Sequence, residues 1–174
     1  IKKNSVQIEL IIDEDYRKLT PNKTKRAFFP INEKNTFKIN QFFRELTKDK
    51  KLKKMKLNIK GRELIISHFY DGIIKFDFVD LCDKNIGAED YIRLAEISKF
   101  LVILNIPNFN DVNSNQQQRF ITLVDILYEK KISLMISLET NLENISSSKR
   151  LAEPFKRTLS RLHELTSPKD DFLI

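Results

Sequence analysis

The first half of the chain contains short apolar segments with two different spacings. The runs "VQIELII" (6–12) and "AFFPI" (27–31) are rich in β-favouring residues, and each predicts a short strand. From about Asn35 the spacing becomes helical and predicts an amphipathic helix, with apolar residues at Ile39, Phe42, Phe43 and Leu46. "KLNI" and "ELIIS" flank Lys60 and Gly61 and predict a tight hairpin, and "GIIKFDF" (72–78) predicts a further strand.

The second half shows longer and more continuous apolar segments. A helix is predicted after Gly87, because Glu89 and Asp90 would favour the positive end of its dipole. Two continuous apolar runs, 100–107 and 132–138, are typical of strands covered on both faces. Between them, a Ser114–Gln117 capping box predicts the start of a helix with the apolar stripe Phe120, Ile121, Val124, Leu127 and Tyr128. A last helix is predicted from Pro154, as its first residue, to Leu165.

These elements together predict an α/β fold. A strand, a helix of about four turns and a second strand form a βαβ unit, and such units place their two strands in parallel. We therefore expect a small, partly parallel sheet with flanking helices, like the βαβ units of P-loop ATPases, preceded by a β-rich α+β lobe. The predicted division is a β-containing N-terminal lobe over 1–75, which includes a basic segment at 48–62, and an α/β lobe over 76–174.

The net charge of +7 is concentrated in that basic segment. It holds one acid, Asp49, and eight basic residues: Lys48, Lys50, Lys51, Lys53, Lys54, Lys56, Lys60 and Arg62. One interpretation is a solvated, mobile connection between a helix and a hairpin. The other is a contact with nucleic acid or an anionic membrane. The segment has no interleaved aromatic residues on which bases could stack, so such partners are the less favoured.

A phosphate-binding loop cannot be built from this sequence. A P-loop needs the pattern G-x-x-x-x-G-K-[ST], because its backbone amides wrap the phosphates. The only three glycines, Gly61, Gly72 and Gly87, fit neither this pattern nor the G-x-G-x-x-G pattern of dinucleotide sites. Asn105 stands where a Walker B acid would follow its strand, and Ser137 stands in a sensor-like position. The favoured interpretation of this unit is nevertheless two ordinary buried strands of a parallel sheet.

Few other side chains carry candidate chemistry. Arg157 and Arg161 lie one helical turn apart and could grip a phosphate or carboxylate, or instead pair with acids of their own helix. Asp125 lies on the rim of an apolar helical face, where a structural bond to backbone or to an arginine is expected. Five acids have no metal-ligand spacing and are expected to be caps or solvated: Asp77, Asp80, Asp83, Glu89 and Asp90. Cys82, the only cysteine, is expected to be an inert core thiol.

Six ordered motifs resemble the C-terminal half of the ZapE-like ATPases, AAA-type P-loop proteins of bacteria with mitochondrial AFG-one-like relatives. They are "DYRKL" (15–19), "GRE" (61–63), "FDFVDLC" (76–82), "GAEDY" (87–91), "RFITLVDILY" (119–128) and "RTLSRLHEL" (157–165). Arg119, the first residue of the fifth motif, is a candidate for a structural polar contact. Leu165 departs from the methionine usual in the family.

The resemblance implies that Walker A, Walker B and the arginine finger belong to a segment upstream of Ile1. Intact members would bind ATP and Mg²⁺ and act in cell division or in mitochondrial protein quality control. This chain would hold neither ligand itself and would serve as a regulatory or assembly part. Its expected partners are the upstream ATPase half, other subunits and a protein substrate. The expected location is the cytoplasm, or the matrix face of the inner mitochondrial membrane in a eukaryote.

Overall fold

The computed structural model describes residues 25–168. In chain order the elements are β1 (Ala27–Phe28), α1 (Glu33–Thr47), β2 (Lys53–Ile59), β3 (Arg62–Tyr70), β4 (Ile73–Asp77), α2 (Phe78–Cys82), α3 (Ala88–Ile97), β5 (Phe100–Ile106), α4 (Ser114–Glu129), β6 (Ser133–Leu138), a 3-10 turn (Lys149–Leu151) and α5 (Ala152–Leu165). The predicted strand at 6–12 lies outside the described residues.

The described strands form one six-stranded sheet in the order β1-β6-β5-β4-β3-β2. β1 pairs with β6, β6 with β5, and β5 with β4, all in parallel, whereas the β4–β3 and β3–β2 pairs are antiparallel. The α/β fold class and the parallel β5–α4–β6 unit are therefore confirmed. The division at residue 75 stays a prediction, and strands from both sides of that position belong to this one sheet.

Apolar side chains cover both faces of the central strands. One face packs against α2 to α5 through a large core that includes Phe76, Ile103 and Ile136, all buried. The other face packs against α1, whose buried Ile39 and Phe42 contact the second core. Burial on both faces explains why the β5 and β6 sequences are continuously apolar rather than alternating.

Two tight turns connect the antiparallel strands. Lys60 and Gly61, with φ of 50° and 79°, form the predicted two-residue hairpin between β2 and β3. Asp71 and Gly72, with φ of 50° and 87°, connect β3 to β4 in the same way. A Cβ at Gly72 would lie 2.8 Å from Cγ of Lys99, so this turn needs glycine both for its backbone conformation and for space.

Three predictions of local structure were wrong. The Ser114–Gln117 capping box does not form, because α4 follows Asn113 as its N-cap and the Gln117 amide binds Ser147 and Ser148 instead. α5 begins at Ala152, so Pro154 is its third residue and not its first. The basic segment is not a mobile connection throughout, since its residues from Lys53 onward form the β2–β3 hairpin.

Candidate functional site

The carboxyl ends of three parallel strands bring three polar side chains together. β4 ends at Asp77, and Asn105 and Ser137 lie near the ends of β5 and β6. Nδ2 of Asn105 donates a hydrogen bond to Oδ2 of Asp77 at 2.6 Å. The backbone N–H of Asn105 donates to Oγ of Ser137 at 2.8 Å. Asn105 therefore bridges all three strands at the edge where α/β sheets commonly bind ligands.

A local irregularity of β5 places Asn105 in this bridging position. The register between β5 and β6 shifts between Ile103 and Ile106, and Asn105 adopts the left-handed conformation with φ of 60°. Asparagine tolerates this conformation better than most residues. Bulges of this kind re-aim a side chain relative to the regular pleat. The shift lets Asn105 reach both neighbouring strands.

The loops after β5 and β6 are bound to each other just beyond this bridge. The backbone N–H of Asn108 donates to Oε2 of Glu139 at 2.9 Å. Oδ1 of Asn108 accepts from Oγ1 of Thr140 at 3.0 Å and from the backbone N–H of Ser146 at 3.3 Å. Their polar groups bond one another, so the edge is organised by contacts within the chain.

Arg157 and Arg161 lie on α5 and share one acidic partner on α4. Nη2 of Arg157 lies 2.9 Å from Oδ2 of Asp125, and Nη1 of Arg161 binds Oδ1 of the same carboxylate. Arg161 also lies over the Tyr128 ring, 4.7 Å from its centroid, and Tyr128 donates to Glu164 at 2.8 Å. The arginines thus join two helices, and the acids expected as their partners on α5, Glu153 and Glu164, bind Lys156 and Tyr128.

The basic segment does not form a uniform cationic surface. Five of its eight basic residues lie within ion-pair distance of acids: Lys48 with Glu45, Lys50 with Asp71, Lys56 with Glu63, Lys60 with Glu89, and Arg62 with Asp90. The Asp90 carboxylate is buried and also accepts from the backbone N–H of Gly87, so the Arg62 contact is part of the fold. Lys51, Lys53 and Lys54 are the exposed remainder.

The remaining candidates have structural surroundings. Arg119 donates to the backbone carbonyl of Cys82 at 3.1 Å. Burial raises the pKa of the Cys82 thiol far above its usual range, which keeps it protonated. The acids outside the sheet edge bind nearby partners, for example Asp80 with Lys84 and Asp83 with Gln116. Within residues 25–168, no group of three or more His, Cys, Asp or Glu side chains is arranged to hold a metal ion.

Arg26 is a structurally central residue that the sequence patterns did not indicate. Its side chain is fully buried and donates to the carbonyls of Leu134 at 3.0 Å, Leu165 at 3.2 Å and Ser167 at 2.7 Å. Burial lowers the pKa of the guanidinium to about 10. The negative end of the α5 dipole stabilises this cation, so Arg26 attaches the end of α5 to β1 and β6.

The fold is that of an α/β domain, and sequence comparison places it among ATPases. The model of the family described as AFG1-like ATPase matches residues 3–171, so the chain belongs to the AFG1-like ATPase family.

Curated relatives agree with this assignment. The chain is 28% identical to the Cell division protein ZapE of Escherichia coli K12 over 153 residues, which are 88% of this chain and 41% of that protein. It is 28% identical to the Lactation elevated protein 1 homolog B of Danio rerio over 63% of this chain and 22% of that protein. The chain thus spans less than half the length of each of these relatives. A comparison with solved structures gives no match.

None of the helices in the described part of the chain is both long and apolar enough to cross a bilayer.

Proposed function

We propose that this chain is the regulatory or assembly part of a ZapE-like ATPase and that it does not hydrolyse ATP alone. The family match covers nearly the whole chain, while the spacing of its glycines excludes a phosphate loop within it. ATP and Mg²⁺ would be bound by a separate ATPase half of the same protein. By analogy with the Escherichia coli relative's name, the machine would act in cell division, and its location would be cytoplasmic. A eukaryotic version would act at the matrix face of the inner mitochondrial membrane.

The polar bridge at the sheet edge is the observation that carries this proposal. An ATPase needs at this edge a carboxylate that is free to hold Mg²⁺ through its oxygens. Here the uncharged amide of Asn105, near the end of β5, donates a 2.6 Å hydrogen bond to the Asp77 carboxylate at the end of β4. A sheet edge whose polar groups bind one another is more typical of a structural domain that contacts other domains or subunits than of a nucleotide-binding site.

The α4–α5 surface is the proposed contact with the ATPase half or with another subunit. The Arg157 side chain is 60% exposed, whereas that of Arg161 is 18% exposed and stacked on Tyr128. Asp125 binds both guanidiniums, and that of Arg157 retains N–H donors that face solvent. A carboxylate or phosphate of a partner could bind Arg157 without displacing the Arg161–Asp125 pair. A protein substrate is a further proposed partner of the assembled machine.

Calorimetry with the 174-residue chain tests the proposal directly. We expect no saturable binding of Mg²⁺–ATP below about millimolar concentration, since a triphosphate needs several backbone amides, a lysine and a metal held by the protein. Micromolar binding that depends on magnesium would overturn the assignment of this chain as the non-hydrolysing part.

A second experiment tests the role of the arginine surface. The reading frame is expressed together with the codons that precede Ile1, and ATPase activity is measured for the longer polypeptide and its Arg157→Ala variant. Lys156→Ala is the matched control, because Lys156 is an exposed neighbour on the same helix. Loss of activity in Arg157→Ala alone supports an interface, and equal activity in all three proteins contradicts it.

The alternative function, a basic module for nucleic acid or anionic lipid, predicts different behaviour. Binding through several lysines weakens steeply with salt. Because five of the eight basic residues already have acidic partners, we expect no salt-sensitive binding to single-stranded DNA or to anionic vesicles.

A further inference from the structure

A cleft of about 380 Å³ lies beside β3, β4 and β5. Its apolar lining includes Ile65, which is 54% exposed, and the half-buried Leu104. Ser67, His68 and Lys75 contribute the polar donors. The cleft is separate from the arginine surface and adjoins the Asn105 bridge at Asp77, which belongs to both.

Lys75 is a cation without an ion-pair partner among the described residues. Its side chain is half-buried, with Nζ 4.6 Å from the centroid of the Phe43 ring, and no carboxylate there lies within ion-pair distance of it. Burial lowers the pKa of the Lys75 ammonium from its ordinary value. Of the other charged groups in the lining, Asp80 forms an ion pair with Lys84 at 2.6 Å, and Asp77 keeps its charge while it accepts a 2.6 Å hydrogen bond from the neutral Asn105 amide. Lys75 is therefore the one cation of the lining that has no ion-pair partner among the described residues.

The neighbouring histidine adds a donor but no charge at neutral pH. Burial, and secondarily the charge of Lys75, lower the pKa of His68 from its ordinary value, so the neutral imidazole predominates at pH 7. A ligand that carries two negative charges would meet a single ammonium and also the carboxylates of Asp77 and Asp80. A ligand with one negative charge and an adjacent apolar body matches the Lys75 ammonium and the apolar lining.

We propose that this cleft binds a carboxylate joined to an apolar group, with the carboxylate on Lys75 and the apolar group on Ile65 and Leu104. Such a ligand is the free C-terminus of a polypeptide that ends in an apolar residue, or a small apolar carboxylic acid. The site shares Asp77 with the polar bridge, but the proposed ligand contacts involve neither ATP nor the arginine surface, so this proposal can fail without the proposed function failing.

The binding test uses the 174-residue chain and two matched probes, N-acetyl-leucine and its neutral amide, N-acetyl-leucinamide. Binding is followed by the NMR signals of the His68 ring. We expect the acid to bind at least about tenfold more tightly than the amide, because it gains a charge-assisted hydrogen bond. Equal affinity for the two probes overturns the proposal, as does tighter binding of inorganic phosphate.

Variants locate the probe within the cleft. Lys75→Met, which keeps the length of the side chain over Phe43, should weaken binding of N-acetyl-leucine about tenfold. Lys84→Met is the control, because Lys84 is already paired with Asp80 and should change the affinity less than about twofold. The reverse ranking overturns the proposal.

A second pair of variants avoids dependence on the folding of Lys75→Met. Ile65 is exposed on β3, so Glu and Gln should both be tolerated at this position. Ile65→Glu places a competing carboxylate in the same cleft as Lys75 and should bind N-acetyl-leucine several-fold more weakly than Ile65→Gln. Equal affinities contradict the charge-based argument.

A final measurement distinguishes the two ligand sources. Tighter binding of an acetylated pentapeptide with a free C-terminal leucine than of N-acetyl-leucine assigns the cleft to polypeptide termini, and the opposite order assigns it to small acids.

Discussion

Truncation of Ile103 to alanine tests the view that the parallel strands are the stability core. Ile103 lies on β5 between Phe76 of β4 and Ile136 of β6, and its side chain is 0% exposed. Ile→Ala removes three carbons from this packed site. Their transfer to water costs about 0.8 kcal/mol each, and the remaining cavity adds to that, so we expect a loss of about 2 to 5 kcal/mol of unfolding free energy.

Urea unfolding followed by circular dichroism measures this loss. The midpoint should fall while the m-value stays constant, since the variant should expose the same surface when it unfolds. In thermal unfolding, each kcal/mol should lower the midpoint by roughly 2–4 °C for a chain of this size. Ile65→Ala is the matched control, because the same side chain is 54% exposed on β3 and should lose less than about 1 kcal/mol. Similar losses for the two variants would refute the reasoning.

Three further predictions concern charged groups and the thiol. In urea unfolding, Arg161→Ala should lose about 1–2 kcal/mol and Arg157→Ala less than about 0.5 kcal/mol, because Arg161 is 18% exposed and Arg157 60%; the reverse order would contradict the described geometry. The raised pKa of Cys82 predicts that a thiol reagent at pH 8 modifies it only after denaturant is added, so rapid labelling of the native chain would argue against its burial. Replacement of the exposed Lys51, Lys53 and Lys54 together by glutamine should change the unfolding free energy by no more than about 0.5 kcal/mol. A larger loss would show that these lysines have a structural role.

The sequence predicted the elements whose signals are local. The continuous apolar runs of β5 and β6 identified the parallel pair, because strands buried on both faces have few polar residues at any position. Gly61 identified the β2–β3 hairpin, because the positive φ that a two-residue hairpin turn requires is a local preference of glycine. The Asp71–Gly72 turn carries an equally local signal, since Asp-Gly is a common two-residue hairpin loop.

The candidate site was less predictable because its contacts join distant parts of the chain. The position of Asn105 at the end of β5 could be predicted, but its left-handed conformation and its bond to Asp77 could not, since both depend on a register shift. Arg26 gave no signal, because its partners lie 108 to 141 residues away. The basic composition of 48–62 predicted the positive charge of this segment correctly, but it did not predict the acidic side chains that form ion pairs with five of its residues.

The contacts of Arg26 also have a consequence for protein engineering. The backbone N–H of Arg26 donates to the carbonyl of Thr166 at 2.9 Å, so the beginning and the end of the described region lie side by side. A domain whose two ends adjoin can be inserted into a loop of a host protein without stretching either chain. It can also be circularly permuted, with a short linker joining its ends and a new opening in an exposed turn such as Lys60–Gly61.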